Sequence, residues 1–337
     1  MDEPAEHPPG DFFAINGLDD FPAALKDGIV AIGNFDGVHR GHQAVLGEAL
    51  ATGAELGRPV YAMTFEPHPR TVFRPDHPVF RLTPAAIKAT LMNGLGLNGM
   101  LVLPFDREFA GQSAEDFVSS ILIDQLAIRH AVTGYDFHFG KNRQGSPRYL
   151  HEAGLQNGFG VSIVGAFSDE GGDPVSSTRI RDSLEIGDVA AAAGLLGYSW
   201  LVQGEVIDGE KRGRDLGFPT ANIRLPDNCQ LRFGIYAVRI VVDGKAHSGV
   251  ANFGSRPTFD DGAALLEVFI FDFSADIYGK TATVAFLSFL RPEEKFESID
   301  ALIRQMDLDC QEARNVCASI GGGNILDQAI SKRVTSG

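Results

Sequence analysis

Two histidines three residues apart are the residues of this sequence best suited to phosphate chemistry. His39 and His42 lie within residues 33–43, between the short apolar stretch 29–32 and a segment with helical periodicity. Where a strand passes into a helix, the first backbone N–H groups are unpaired and the helix dipole favours an anion. We therefore predict that both imidazoles are catalytic groups that donate hydrogen bonds to phosphate oxygens.

The same turn offers small residues beside these histidines. Gly41 would let a triphosphate approach the backbone closely, and Gly33 and Phe35 lie in the turn itself, so we predict that all three bind ATP. Two other interpretations of the histidine pair stay open at this point. The rings are either ordinary surface histidines or two ligands of a zinc site that lacks its Cys or Glu partners.

A second polar cluster with phosphate-binding character lies further along the chain. Ser177 and Thr178 supply hydroxyl donors, and Arg181 supplies a fixed, charged fork. These groups suit the triphosphate of ATP.

Two loops of the first half carry candidate ligand contacts. Pro67 and His68 form a stiff turn after an apolar stretch, and Asp136 lies in a loop between two glycines. The turn at Pro67 also has a purely structural interpretation. Lys141 and Arg143 form either a solvated loop or a flexible flap that contacts phosphate.

A basic loop with glycines leads into a proline-fixed turn in the second half. Gly213 and Arg214 lie in this loop, where backbone N–H groups can cradle a phosphate, although a plain surface loop is the alternative. Thr220 and Asn222 follow it and offer oxygen ligands to a hard cation such as Mg²⁺. Glu267 is a lone carboxylate in an apolar strand, either a solvated outward residue or a general base.

The elements that must position these residues differ between the two halves of the chain. Apolar stretches at 29–32, 60–65 and 100–103 alternate with helix-period segments at 42–56, 84–95 and 113–126. This alternation predicts a parallel sheet with helices on its faces and a ligand site at the carboxyl ends of the strands.

From Trp200 onward the pattern is mostly that of strands. They are predicted at 201–207, 236–242, 265–273 and 281–289, with turns at 243–244 and 261–262. A helix at 299–318, with Ser298 as its N-cap, should pack on the resulting antiparallel sheet or barrel. We predict a first domain at 1–186, a linker helix within 187–198, and a second domain at 199–337.

The bulk composition limits the class of protein. The 337 residues are 44% hydrophobic, enough for two domains, and the formal charge of −15 without a long basic run argues against nucleic-acid binding. Three cysteines without a Cys-x-x-Cys pair fit a reducing cytoplasm better than a disulfide framework or a zinc knuckle. The N-terminus lacks signal-peptide features and no apolar run has membrane-spanning length, so we expect a cytoplasmic protein without a membrane partner.

The motifs resemble a known enzyme family. The His-x-Gly-His pattern at 39–42 is the hallmark of the nucleotidylyltransferase superfamily. Together with 65–69, 134–140 and 176–181, the first half resembles prokaryotic bifunctional riboflavin kinase/FAD synthetase. In the second half the resemblance rests on 219–222, 234–237, 249–259, 266–273 and 277–279, so the two halves cover nearly the whole chain.

The resemblance implies an α/β protein. Its N-terminal domain would be a Rossmann-like nucleotidylyltransferase domain with a parallel sheet, and its C-terminal domain a riboflavin-kinase-like antiparallel β-barrel with a terminal helix. The implied activity is phosphorylation of riboflavin to FMN by ATP, followed by adenylylation of FMN to FAD with release of pyrophosphate. Mg²⁺ would assist, Pro67, His68 and Asp136 would bind flavin, and Glu267 would be the general base.

Two positions depart from the family pattern. Phe269 and His138 stand where the family commonly has histidine and arginine, respectively. Phe269 supports one alternative, an FMN adenylyltransferase whose second domain binds flavin without kinase activity. A flavin-sensing regulator and a nucleic-acid-modifying nucleotidyltransferase are further alternatives, and homo-oligomer formation is left open.

Overall fold

The chain folds into two compact units. The computed structural model describes residues 12–208, 218–255, 264–320 and Asp327. One unit comprises Met1–Val79 and Lys88–Val175, and the other comprises Phe80–Ile87 and Ser176–Gly337. The second unit thus takes in a short segment from the middle of the first half of the sequence.

The first unit contains a six-stranded sheet in which every neighbouring pair is parallel. Its strands follow the order β1-β4-β3-β2-β5-β6. They are β1 (Phe13–Asn16), β2 (Ile29–Ile32), β3 (Val60–Glu66), β4 (Gly99–Pro104), β5 (His130–Gly134) and β6 (Gly160–Val164). The parallel sheet predicted from the alternating pattern is confirmed. Strand β2 is buried at all four positions, as expected for a central parallel strand.

Helices connect these strands and cover the sheet. They are α1 (Arg40–Leu56), α2 (Pro69–Phe73), α3 (Ala85–Gly94), α4 (Ala114–Asp116) and α5 (Pro147–Asn157). α4 continues directly as a π-helical segment, Phe117–Gln125, within the single helix predicted at 113–126. Its buried Phe117 and Leu122 join the core formed by the sheet.

The second unit contains a closed antiparallel barrel. The strands follow the order β10-β11-β8-β7-β12-β9, and β9 pairs with β10 to close it. They are β7 (Leu201–Ile207), β8 (Thr220–Arg224), β9 (Gly234–Val242), β10 (Lys245–Ser255), β11 (Ala264–Ile270) and β12 (Thr281–Arg291). The predicted barrel is confirmed, but two details of the prediction were wrong. Thr220 and Asn222 lie in strand β8 rather than in a turn, and β11 ends at Ile270 instead of continuing to residue 273.

Among the described residues, the second unit contains the helices α6 (Ser177–Glu185), α7 (Val189–Leu196) and α8 (Ile299–Ser319). The Ser298 hydroxyl accepts from the Ala301 N–H, which confirms the predicted N-cap of α8. Ala313 and Cys317 of α8 form one hydrophobic cluster with Ala237 of β9, Leu287 of β12 and Phe271, which follows β11. In the part of the chain that the structure describes, no helix is both long and apolar enough to cross a membrane.

A salt bridge attaches α8 to the barrel. The Arg291 guanidinium at the end of β12 donates to both Asp309 carboxylate oxygens, at 2.9 and 2.7 Å. The Gln305 amide donates to the same carboxylate, which is 5% exposed. A two-pronged pair of this kind fixes orientation as well as distance.

Candidate active sites

The order of the strands places the predicted histidine turn at the switch point of the sheet. From β2, the strands β3 and β4 follow on one side and β5 and β6 on the other. Ligands of such sheets bind outside the carboxyl ends of the strands where the order reverses. The turn after β2 and the loop after β5, which carries Asp136, both leave the sheet at this point.

The backbone of this turn is strained. Phe35 and Val38 are buried and have φ values of 47° and 39°, in the left-handed region that few non-glycine residues adopt. The strain is greatest at Val38, because its branched Cβ crowds the following carbonyl. Such conformations persist where surrounding contacts hold the chain, and they cluster at functional sites. Here the Gln43 amide donates to the Val38 carbonyl at 2.8 Å.

His39 caps helix α1. Its Nδ1 accepts the backbone N–H of His42 at 3.2 Å, which satisfies one of the unpaired donors at the start of the helix. Because Nδ1 accepts, the neutral ring carries its proton on Nε2. The cap therefore fixes His39 as a hydrogen-bond donor through Nε2.

His42 stacks on this ring. The two ring centroids are 3.6 Å apart with an interplanar angle of 15°, and Phe35 meets His42 edge-on at 5.4 Å. The Nδ1 of His42 is buried and has no hydrogen-bond partner, although the residue as a whole is only partly buried. Burial, together with the nearby His39 and Lys88, lowers the pKa of His42 well below its usual range. His42 is therefore neutral at pH 7.

Two glycines leave room for these rings. A Cβ on Gly41 would stand 3.2 Å from both Cε1 and Nδ1 of His39. A Cβ on Gly33 would stand 3.1 Å from the Phe35 ring. Gly41 was predicted to admit a triphosphate, and the structure adds that the His39 ring needs this space.

Lys88 of α3 is a residue near the histidine turn that the sequence analysis did not single out. It is 0% exposed, and its ammonium donates to the Asn34 carbonyl at 2.9 Å and to the Thr64 hydroxyl at 3.0 Å. The Glu66 carboxylate lies 3.4 Å away. Its sequence neighbourhood gave no signal, because a lysine in a helical segment is normally solvated.

The predicted flavin contacts lie at the carboxyl ends of neighbouring strands. Pro67 and His68 follow β3, and Asp136 follows β5 in an exposed loop. His68 is 9% exposed and caps α2, because its Nδ1 accepts the Arg70 N–H at 3.1 Å. Phe73 at the end of α2 is 63% exposed, which is unusual for a large aromatic ring.

The second predicted ATP cluster belongs to the second unit. Ser177 and Thr178 form the first turn of α6, which Ser176 caps by accepting the Arg179 N–H. Arg181 donates from Nε to the Phe80 carbonyl at 2.8 Å and from a terminal nitrogen to the Ser177 carbonyl at 3.2 Å. Its guanidinium is thus anchored within the unit. Its action on the same triphosphate as the histidines stays a prediction.

A polar row crosses three strands of the barrel. Glu267 of β11 pairs directly with Asn222 of β8 on one side and with Asn252 of β10 on the other. Leu266 and Val268 point into the barrel and are 0% exposed, so the row lies on the outer face. The side-chain oxygens of both asparagines are buried without a hydrogen-bond partner.

Thr220 and Phe269 form the next rung of the same face. They are directly paired, two residues from Asn222 and Glu267 respectively, and the ring of Phe269 meets Phe218 at 5.2 Å. Phe269 thus packs beside the start of β8. The predicted phosphate-binding residues Gly213 and Arg214 lie outside the described residues.

The face of β8 that carries side-chain oxygens suits a hard cation. Thr220 and Asn222 face the same side of the strand, and the unpartnered Asn222 oxygen is a ready ligand. Among the residues that the structure describes, no group of three or more His, Cys, Asp or Glu could hold a metal ion. Substrate phosphate and water would have to complete the coordination, which is the usual arrangement for Mg²⁺.

Comparison with known proteins gives a match for each half of the chain. A family model described as FAD synthetase matches residues 21–179, and one described as riboflavin kinase matches residues 196–317. A solved structure described as a macrolide-efflux protein from Streptococcus pneumoniae is 32% identical, covers 90% of this chain and 99% of its own, and has a TM-score of 0.81.

Curated relatives match along both halves together. The bifunctional riboflavin kinase/FMN adenylyltransferase of Pseudomonas fluorescens is 40% identical over 90% of this chain and 97% of its own length. The protein of the same description from Escherichia coli K12 is 37% identical over 89% of this chain and 96% of its own. The chain therefore belongs to the family of bifunctional riboflavin kinases/FMN adenylyltransferases.

Proposed function

We propose that the chain uses ATP twice, first to phosphorylate riboflavin to FMN and then to adenylylate FMN to FAD with release of pyrophosphate. The barrel residues around Glu267 perform the phosphorylation, and the histidine turn of the first unit performs the adenylylation. The observation that carries this proposal is the presence of two separate polar constellations, the capped histidine pair and the barrel row around Glu267, in a chain of this family.

In adenylylation, a phosphate oxygen of FMN attacks the α-phosphorus of ATP, and the bond to the pyrophosphate group breaks. No covalent protein intermediate is needed, because both reactants are bound side by side. His39 donates a hydrogen bond from its Nε2–H to the phosphate oxygens. Neutral His42, stacked beside it, donates a second hydrogen bond to them. These donors stabilise the charge that develops on the leaving group. The tautomer of His39 and the stacked arrangement of the two rings are set before the substrate arrives, so little reorganisation is required.

Two groups of residues would bind ATP for this step. Gly33, Phe35 and Gly41 belong to the turn and helix start where free N–H groups favour an anion. Ser177, Thr178 and Arg181 add hydroxyl donors and a charged fork whose position is fixed by the carbonyls of Phe80 and Ser177.

The flavin would bind at the carboxyl ends of β3 and β5. Pro67, His68 and Asp136 supply the polar and rigid contacts there. The Nδ1 of His68 is occupied by its capping bond, so the ring carries its proton on Nε2 and can donate it to a ligand oxygen. The exposed ring of Phe73, one short helix away from His68, offers a flat apolar surface for a flat ligand.

In phosphorylation, Glu267 accepts the proton of the 5′-hydroxyl of riboflavin as that oxygen attacks the γ-phosphorus of ATP and ADP leaves. Asn222 and Asn252 lie on either side of Glu267 and present carboxamides to the same face. Gly213 and Arg214 would hold the ATP phosphates through backbone N–H groups and a guanidinium.

Thr220 and Asn222 would hold Mg²⁺ through their side-chain oxygens. When bound, the ion would neutralise part of the charge on the ATP phosphates. Phe269 contributes no ligand. It packs against Phe218 and so supports the strand that carries both oxygen ligands.

We assign the adenylyltransferase to residues 1–186, the linker to 187–198 and the kinase to 199–337. The family models matched at 21–179 and 196–317 support this assignment. We further propose that the protein acts in the cytoplasm on small molecules, without nucleic-acid or membrane partners. Measurement of its mass in solution tests whether it forms a homo-oligomer.

The test separates the two reactions by substitution. The purified protein is incubated with riboflavin, ATP and Mg²⁺, and riboflavin, FMN and FAD are separated by chromatography over time. His42→Ala should stop FAD formation and leave FMN formation intact, because His42 lies only in the first constellation. Glu267→Ala should stop FMN formation and still convert supplied FMN to FAD.

Two outcomes would contradict the proposal. If either substitution abolished both steps in a folded protein, the assignment of one reaction to each unit would be wrong. If the unmodified protein formed FAD only from supplied FMN, the second unit would be a flavin-binding module and the chain an adenylyltransferase alone.

A further inference from the structure

The buried ammonium of Lys88 lies where the strained histidine turn leaves the sheet. Its Nζ is 2.9 Å from the Asn34 carbonyl and 3.0 Å from the Thr64 hydroxyl, and the side chain is 0% exposed. Burying a charged amine carries a large desolvation cost, so such lysines are rare unless they are paired. The Glu66 carboxylate lies 3.4 Å from the ammonium and forms an ion pair with it.

Two donors converge on one backbone carbonyl. The Thr64 hydroxyl donates to the Asn34 carbonyl at 2.9 Å, and Lys88 donates to the same oxygen. Asn34 directly precedes the left-handed Phe35. The Asn34 carbonyl is therefore fixed in the peptide bond that leads into the first strained residue, Phe35.

The far end of the turn is held separately. Gln43 donates from its side chain to the Val38 carbonyl at 2.8 Å, and its backbone N–H donates to the His39 carbonyl at 2.8 Å. The strained residues 35–38 thus lie between two anchored carbonyls. If one anchor were lost, Phe35 and Val38 could relax toward ordinary φ values, and the His39–His42 stack would move with them.

We propose that Lys88 is a positioning residue for adenylyl transfer, which holds the Asn34 carbonyl so that the turn presents the His39–His42 pair and which places a fixed positive charge behind it. Lys88 acts through the turn and does not itself touch substrate. The inference rests on the proposed adenylyltransferase function of this unit.

The charge also acts on His42. Burial lowers the pKa of His42 most, and the charges of His39 at the helix cap and of Lys88 in α3 lower it further. Removing the ammonium should raise the pKa of His42, whereas a purely structural lysine at a distance from the ring would leave it unchanged.

The experiment compares Lys88→Met with Thr64→Val and with the unmodified protein. Because a displacement of about 1 Å at a reacting centre can cost about 100-fold, Lys88→Met should lower the kcat of FAD formation from supplied FMN about 100-fold. FMN formation from riboflavin, measured on the same sample, should stay within twofold. Thr64→Val removes one of the two donors and keeps the charge, so its loss should be below tenfold.

A spectroscopic measurement accompanies the kinetics. The pH titration of the His42 ring is followed by NMR, with its signal assigned by its absence in His42→Gln. In Lys88→Met the midpoint should move to higher pH, and in Thr64→Val it should stay in place.

The outcomes separate this inference from the proposed function. No FAD formation by the unmodified protein would overturn the function itself. Normal FAD formation by Lys88→Met, or loss of both reactions together, would overturn the role of Lys88. If Lys88→Met does not fold, Lys88→Gln, which keeps a donor without the charge, is held to the same expectations.

Discussion

Both histidines that cap helices in the first unit use the same ring atom. His39 and His68 each accept a backbone N–H through Nδ1, which leaves the proton on Nε2. Aspartate would cap a helix equally well, but an ionised carboxylate only accepts, whereas a neutral histidine keeps an N–H donor on its second ring nitrogen. In each of these side chains the capping bond would thus set the tautomer that the proposed ligand contact requires.

The contact between Gly41 and the His39 ring leads to a prediction. Gly41→Ala would place a Cβ 3.2 Å from two atoms of that ring, so the ring must shift and its capping bond must weaken. The lost cap costs about 1 kcal/mol, and the better helix propensity of alanine offsets up to about 1 kcal/mol. We expect a nearly unchanged melting temperature with FAD formation at least tenfold slower, measured by chromatography.

Gly47→Ala is the matched control for this prediction. Gly47 is an exposed residue of the same helix, and an added Cβ there meets no atom within 4 Å. The control should raise stability slightly and leave FAD formation unchanged. Equal rates for the two variants would show that the His39 ring does not depend on the space at Gly41.

The sequence predicted the residue types of the sites better than their exact surroundings. The pairing of Glu267 with Asn222 and Asn252 depends on the register of three strands, which the sequence alone does not set. Lys88 was not recognised, because its burial depends on contacts with residues 22 to 54 positions away. The site roles assigned to these residues stay predictions.

At the scale of elements, segments with a clear apolar run or helical period were predicted, and several of mixed composition were not. Strands β2, β3, β7 and β12 and helices α1, α7 and α8 lie close to their predicted bounds. Strand β1 was missed because only one of its four residues is buried, and β10, although eleven residues long, was missed because glycines and polar residues interrupt its apolar positions. Strand β8 was interpreted as a turn, since Pro219 and two small polar residues are typical of turns; its edges are instead paired with β7 and β11.

The attachment of α8 to the barrel is open to a direct test. Asp309→Ala would leave the Arg291 guanidinium, itself only 15% exposed, without its two carboxylate bonds. Removing one partner of a buried ion pair costs about 3 kcal/mol. The free energy of unfolding of the second unit should fall by about this amount, and its denaturant midpoint should be lower. Asp307→Ala, at an exposed position of the same helix, should change stability by less than about 0.5 kcal/mol. Equal stability of both variants would mean that α8 is held by its apolar contacts alone.

At the scale of the whole molecule, the two compact units do not correspond to two uninterrupted stretches of sequence. The segment Phe80–Ile87 belongs to the second unit, although it stands between strands of the first. Trp200, which is 1% exposed, donates from its indole to the Leu82 carbonyl at 3.2 Å, and its ring meets Phe80 at 5.9 Å. Sequence patterns could not indicate that Phe80–Ile87 belongs to the second unit, because this depends on contacts between residues more than a hundred positions apart.

Because Phe80–Ile87 belongs to the second unit, an isolated kinase fragment without this segment should differ from the full chain. A fragment of residues 199–337 lacks Phe80–Ile87 and the anchor that Arg181 provides there, so one side of Trp200 would be uncovered and its hydrogen bond to Leu82 lost. Trp200 is the single tryptophan of the sequence, so its fluorescence reports on this site alone. We expect the emission maximum of the fragment to lie at longer wavelength than that of the full chain, and its melting midpoint to be lower.

A longer fragment, 176–337, with residues 80–87 joined through a flexible linker, should recover both values. If the short fragment matched the full chain in emission and melting, the segment Phe80–Ile87 would be dispensable to the second unit, and a domain boundary near residue 199 would be sufficient.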